Sequence, residues 1–348
     1  MSLKEILGVE IPIVQAPMAG VQGSALAIAV SNAGGLGSLP CAMLSLETLC
    51  DELKAITAQT SRPYNVNFFC HEMPAPSQKA EMIWRTALSP YYQAHNINPD
   101  AVPVGSSRVP FSSDVVDVLE AFRPPVVSFH FGLPSDELLV RVKAFGAKVI
   151  SSATTLEEAL WLEEYGADVI VAQGLEAGGH RGMFLSRDLN SQVGTFALLP
   201  QIVQAVKVPV IAAGGIADAG GVVAAMALGA SGVQMGTAYL LCHEALTSQI
   251  HRAALQSDAA KHTALTNIFT GRPARAIVNF AMKELGPIHY GIPEFPLAAS
   301  AITPLRAVME AKGQGDFSPL WAGQNVTGCK VASAAELTHE LAMGLLQV

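Results

Sequence analysis

Charge is what this chain has least of. Only 14% of its 348 residues are Asp, Glu, Lys or Arg, against about 25% in an ordinary soluble domain. Residues 11–46 and 219–242 contain none at all. Yet neither stretch reads as a membrane span, because Gly, Pro, Gln, Ser or Asn interrupts each one well short of the roughly 18 uninterrupted apolar residues a span needs. The start, Met1-Ser2-Leu3-Lys4-Glu5, has no apolar run of the kind a signal peptide carries, so a cytoplasmic protein without a membrane segment is expected. Five cysteines (Cys41, Cys50, Cys70, Cys242, Cys329) include no C-x-x-C pair, which argues against a disulfide framework or a zinc site and for ordinary buried thiols. The nine histidines show no H-x-x-x-H or H-E-x-x-H spacing, so no metal is expected. A net charge of −8 leaves no basic surface for nucleic acid. There is no G-x-x-x-x-G-K-[ST] and no G-x-G-x-x-G opening a helix.

What the chain does have is apolar material: 50% of its residues are hydrophobic, enough for one large α/β domain or two smaller ones. Short runs rich in Val and Ile alternate with helical patterns, the signature of βαβ units. Eight strands are predicted, at 11–16, 36–39, 65–69, 126–130, 148–152, 168–173, 210–213 and 232–236. Helices are predicted between them, among others at 45–58, 136–145, 156–165, 196–206 and 219–228. This count in about 240 residues fits a (β/α)8 TIM barrel better than an open sheet. Strands of such a barrel are covered on both faces, which accounts for the missing charge. Residues 70–124 exceed one connection and predict helices plus an ordered loop over the barrel mouth, with a Pro/Ser-rich stretch at 98–110. The expected organisation is a barrel over 1–242, a mostly helical lid or substrate subdomain over 243–315, and a closing segment over 316–348 that returns to the barrel with a helix near 332–346.

In this fold the site is built at the carboxyl ends of the strands. Gly214-Gly215 follow the seventh predicted strand and Gly236-Thr237 end the eighth, a pair of loops where backbone N–H groups can hold a phosphate. Either loop alone would read as a tight turn. Asn67 and Gln173 are amides on strands aimed at the mouth, suited to both edges of a flat heterocycle, and a flavin is the plausible one. Pro17-Met18-Ala19-Gly20 is a small apolar loop that can lie along a ring. His180 sits in Gly174-Leu175-Glu176-Ala177-Gly178-Gly179-His180-Arg181-Gly182, a loop too glycine-rich to pack a core histidine, and an imidazole suits the transfer of one proton. His130 ends the fourth predicted strand. Two readings of it stand side by side: a residue orienting an anionic substrate, or one filling the barrel interior.

Together, Gln15-Ala16-Pro17-Met18-Ala19-Gly20, the Asn67 strand, His130-Phe131-Gly132-Leu133-Pro134, the Gln173 to Gly182 run, Ala213-Gly214-Gly215-Ile216, Gln234-Met235-Gly236-Thr237 and Leu320-Trp321-Ala322-Gly323-Gln324 resemble the nitronate monooxygenase family, formerly 2-nitropropane dioxygenases, in its class I form. The resemblance implies an FMN-bound barrel that oxidises alkyl nitronates, such as propionate 3-nitronate, with O2 to a carbonyl compound and nitrite, without NAD(P)H. It implies that His180 takes the α-proton of a neutral nitroalkane, a step the anionic nitronate skips; of the two readings of His130, substrate binding is the expectation adopted. It carries FMN contacts onto Met18, Asn67, Gln173, Gly178, Gly179, Gly214, Gly215, Gln234, Met235, Gly236 and Thr237. Partners are then the nitronate or nitroalkane and O2, with a homodimer left open. The chain departs from the class I pattern at Glu294-Phe295-Pro296-Leu297-Ala298-Ala299-Ser300, where Arg306 is the nearest cation. Two sister flavoproteins on the same barrel, an NAD(P)H:quinone reductase and an enoyl-acyl-carrier-protein reductase, are the alternatives.

Overall fold

A computed structural model describes residues 2–102, 105 and 108–347, without the side chains of 346 and 347. Its barrel strands are β1 (Ile13–Gln15), β2 (Gly37–Pro40), β3 (Tyr64–Phe69), β4 (Val126–His130), β5 (Lys148–Ala153) and β6 (Val169–Gln173), followed, after a short outlying strand β7 (Gly179–His180), by β8 (Val210–Ala213) and β9 (Gly232–Met235). All pair in parallel in the order β1-β9-β8-β6-β5-β4-β3-β2. The ring closes where the Leu36 N–H donates to the Ile13 carbonyl at 2.9 Å and the Gln15 N–H donates to the Leu36 carbonyl at 3.0 Å. The (β/α)8 barrel expected from alternation is therefore present, and its strands are buried almost throughout.

The helices begin where side chains can cap them. Ser45, Thr155 and Asp218 accept the N–H groups of Thr48, Glu158 and Gly221 at the starts of Leu46–Gln59, Leu156–Glu164 and Ala219–Ala227. Ser333 and Glu336 form a reciprocal capping box on Ala334–Ala342, whose Thr338 bonds Tyr239 Oη at 2.9 Å. The closing segment thus packs back onto the barrel.

Two expectations need correction. β1 starts at Ile13 rather than residue 11, because the Glu10 and Ile11 N–H groups both turn to the Gly34 carbonyl and Pro12 has no N–H to offer a ladder. Residues 243–315 are not simply helical. Alongside Gln249–Leu255, Phe280–Leu285 and Ala299–Glu310 they contain β10 (Thr263–Thr266) and β11 (Ala274–Ile277), an antiparallel hairpin whose second strand also pairs β7. The turn at Gly271-Arg272-Pro273 joins these strands.

Residues 70–124 supply the helices Gln78–Ala94 and Ser113–Phe122. The first packs on Ala299–Glu310 through a second core around Trp84, Leu88, Tyr92, Ile302 and Leu305, and Trp84 Nε1 donates to the Ala298 carbonyl at 3.0 Å. Of the Pro/Ser-rich stretch, Pro103, Val104, Ser106 and Ser107 lie outside the described residues. Among the described residues no helix is long and apolar enough to cross a membrane, and no three His, Cys, Asp or Glu side chains gather as a metal site would require. The cysteines are free, but only Cys41 and Cys242 are buried; Cys50, Cys70 and Cys329 are half-buried.

Candidate active site

At the carboxyl ends of the strands lies a deep cavity whose walls include Met18, Asn67, His130, Gln173, Gly178 to His180, Gly214, Gly215 and Gln234 to Thr237. The structure therefore brings every residue singled out in the sequence to one place. How each is held there comes from the backbone around it.

Gln173 ends β6, and both ends of its amide grip the histidine loop. Nε2 donates to the His180 carbonyl at 3.0 Å, and Oε1 accepts the Gly182 N–H at 2.7 Å. His130 Nε2 reaches the same carbonyl at 3.1 Å; a carbonyl only accepts, so His130 carries its proton on Nε2. His130 is therefore a mouth residue that also braces the loop. Asn67 Nδ2 donates to Ser128 Oγ at 2.9 Å. Met18 is set by Gln22, whose Oε1 accepts the Met18 N–H at 3.1 Å and the Gln15 amide at 2.7 Å.

His180 itself projects among Phe69, Phe131, Phe295 and Trp321, with ring centroids 5.4 Å from both Phe295 and Trp321. Its Nε2 lies 2.9 Å from Thr270 Oγ1. Burial holds its pKa well below the usual histidine range, and the charges of Arg108 and Arg272 and the rings of His130 and His71 push in the same direction. The imidazole is neutral at pH 7. Burial likewise lowers His130 and His71 to about 4. Arg272 stands 3.8 Å over the Phe131 ring and Arg108 5.8 Å over Phe295, so the histidines share a cationic, aromatic chamber.

On the other side of the cavity, Gly214 and Gly215 take φ of 111° and 75°, which an L side chain would strain. Among the described residues neither the Gly215 nor the Gly236 N–H donates to another protein group. The C-terminal segment closes this cradle: Gly323 N–H donates to Thr237 Oγ1, Asn325 Nδ2 to the Gly215 carbonyl and Gln324 N–H to the Glu176 carbonyl, each at 2.9 Å. A Cβ on Gly178 would stand 2.5 Å from the Gly323 nitrogen. Orphaned N–H groups in a glycine cradle, amides, and a thioether beside them fit a phosphorylated flat cofactor.

Several site residues were not singled out from sequence. Arg181 is completely buried, and its guanidinium donates to the Gln173 and Gly174 carbonyls, both at 2.7 Å, and to Gln192 Oε1 at 3.0 Å. Glu158 anchors the far end of the same loop by accepting the Phe184 N–H at 2.6 Å. Only the place of Arg181 in a glycine-rich run hinted at its role; Glu158 lies in the preceding helix and carried no such signal. Thr270, Arg272 and Phe295 come from 243–315, and no local pattern could place them opposite β6.

Fold and mouth define a (β/α)8 enzyme with a neutral histidine facing a cofactor-sized cradle. The nitronate monooxygenase family model matches residues 1–344. A nitronate monooxygenase of Paraburkholderia phytofirmans is 39% identical over 99% of this chain and 95% of its own length, and one of Pseudomonas aeruginosa is 40% identical over 97% and 96%. Among solved structures, the nitroalkane oxidase of Streptomyces ansochromogenes superposes with a TM-score of 0.89 at 36% identity, covering 100% of this chain and 98% of that one. FabK of Thermotoga maritima follows the fold with a TM-score of 0.74 at 27% identity, over 100% and 96%. This chain belongs to the nitronate monooxygenase family, and with it to the flavin oxidoreductases that convert nitronates and nitroalkanes.

Proposed function

We propose that the chain is an FMN enzyme that oxidises alkyl nitronates with O2 to a carbonyl compound and nitrite. Gly214, Gly215, Gly236 and Thr237 would hold the phosphate, while Met18, Asn67, Gln173, Gly178, Gly179, Gln234 and Met235 would line the rest of the cofactor. When bound, the flavin supplies the electron-transfer chemistry that lets O2 react with the substrate. The chain's own part is to position, desolvate and move one proton.

The observation that carries this reading is the state of His180. A base must be unprotonated to act, and burial beside two arginines keeps this imidazole neutral. Taking an α-proton from a neutral nitroalkane creates a nitronate anion beside a newly charged imidazolium. Arg108 and Arg272 favour that anion, and His130 lines its approach. A nitronate that arrives already ionised needs none of the proton transfer. Residues 243–315 serve as the substrate-side cover. The enzyme would work in the cytoplasm on the nitro compound and O2, with no nucleic-acid partner.

The test is direct. Purified protein is expected to be yellow, to release FMN on denaturation, and to produce nitrite from a nitronate under air. Replacing His180 with Asn should slow turnover of neutral nitroalkane about 100-fold or more while sparing the nitronate; equal losses on both would remove His180 as the base. The second choice is a flavoprotein on the same barrel that is reduced by NAD(P)H, either a quinone reductase or an enoyl-acyl-carrier-protein reductase. Rapid bleaching of the flavin by NADH or NADPH without O2 would favour that reading over the first.

A further inference from the structure

We infer that Thr270 is a positioning residue that fixes the tautomer of His180, so that the proton-accepting atom is Nδ1. The inference rests on the reading of His180 as base, and it follows from counting protons around one hydroxyl. Thr270 is 2% exposed and lies in the turn between β10 and β11. Its Oγ1 has three neighbours: the Arg272 carbonyl at 3.3 Å, the Arg272 N–H at 3.4 Å and His180 Nε2 at 2.9 Å. A hydroxyl offers one proton and two lone pairs. The carbonyl can only accept, so it takes the hydroxyl proton; the Arg272 N–H can only donate, so it fills one lone pair. All three contacts are satisfied together only if His180 Nε2 carries a proton and fills the other. The opposite tautomer would turn the hydroxyl toward Nε2 and leave the Arg272 carbonyl without its donor, since no other group reaches it among the described residues.

The rest of the ring's surroundings leave Nδ1 available. No protein group bonds it among the described residues, and the loop is locked from its backbone side. Gln173 and His130 hold the His180 carbonyl, and the Arg181 N–H donates to the Pro273 carbonyl at 2.9 Å. The hairpin thus holds the loop backbone and the ring from the same turn. Gly271 lets that turn exist: at φ 89° its added Cβ would stand 2.4 Å from the Pro293 carbonyl oxygen. A base oriented by a third group through its other ring nitrogen is the arrangement hydrolase triads use, here with a hydroxyl in place of a carboxylate, which suits a ring that must stay neutral.

The test uses the flavin-loaded enzyme with Thr270→Val, Thr270→Ser and His180→Asn. Histidine-labelled 15N spectra of the wild type, with His180 assigned by its disappearance in H180N, should show a protonated Nε2 and a pyridine-type Nδ1. In T270V the kcat/KM for a neutral nitroalkane should fall at least about tenfold further than that for the preformed nitronate. T270S should recover most of the difference. A protonated Nδ1 in the wild type, or parallel losses on both substrates in T270V, would overturn the assignment. H180N separates the two layers: if it too fails to distinguish the substrates, the base reading falls, while the spectra still decide the tautomer on their own. Should T270V not fold, the wild-type spectra and T270S suffice, since a structural hydroxyl alone would not set the ring's protonated nitrogen.

Discussion

At the scale of single residues, the site is organised by buried charge used for geometry. Among the described residues no carboxylate lies within hydrogen-bonding distance of Arg181, whose guanidinium instead goes to two backbone carbonyls and an amide. Arg181→Met would remove a desolvated charge but take the guanidinium from the Gln173 carbonyl and Gln192 Oε1, while the Gly174 carbonyl keeps the Ala177 N–H at 3.1 Å, and the loss of donors is the larger effect. Stability should fall by about 3 kcal/mol, read as a drop of about 4 °C in Tm for a chain of this length. An unchanged Tm would show that the loop has another anchor. Arg272 acts on His180 at a distance. Burial is the main depressant of the His180 pKa, with Arg108, His130, Arg272 and His71 adding to it. The acid limb of neutral-nitroalkane turnover should therefore lie below pH 6.5, and Arg272→Met should move it upward, part of the way toward that value. A limb that stays in place would remove Arg272 from the electrostatics of the base.

The elements show what the amino-acid order makes visible. Barrel strands announce themselves as short apolar runs, and against that background the polar side chains of Asn67 within β3, His130 ending β4 and Gln173 ending β6 pointed to the mouth. The Gly214-Gly215 pair after β8 and Gly236 after β9 were legible for the same reason. The hairpin of β10 and β11 was not: Thr263–Thr266 and Ala274–Ile277 are each four residues long, half of the first is polar, and their pairing with β7 spans almost a hundred residues of sequence. Its turn signal, Gly271-Arg272-Pro273, was plain, but a turn does not say which strands it joins. Gly271→Ala tests how far the site depends on this element. The Cβ would meet the backbone at Pro293 and Phe295, so the hairpin must shift, and with it Thr270 and Phe295. Loss of base-dependent turnover with the flavin retained is the expected result; loss of the flavin instead would mean that the hairpin supports the cradle.

For the whole molecule, burial of neutral histidines ties stability to pH. His71, His130 and His251 all have folded pKa values lowered to about 4 by burial, below the unfolded value near 6.5. The unfolded chain then binds more protons between those limits, so stability is complete above about pH 6.5 and is lost as pH falls through about 4, by at most about 1.4 kcal/mol per pH unit for each group. Tm should decline progressively from pH 7 to pH 5 in a non-coordinating buffer, and a flat profile would mean that these rings are better solvated than their burial implies.

The bonds from Gly323, Gln324 and Asn325 to Thr237, Glu176 and Gly215 also set an order of events during synthesis. Every barrel strand has been made by Met235, yet the wall that closes the candidate cofactor cradle is made of residues that follow almost ninety positions later. A chain interrupted after its last strand can complete the barrel with the cradle still open, so the proposed capacity to hold the cofactor tightly arrives only once residues 323–325 have joined the fold.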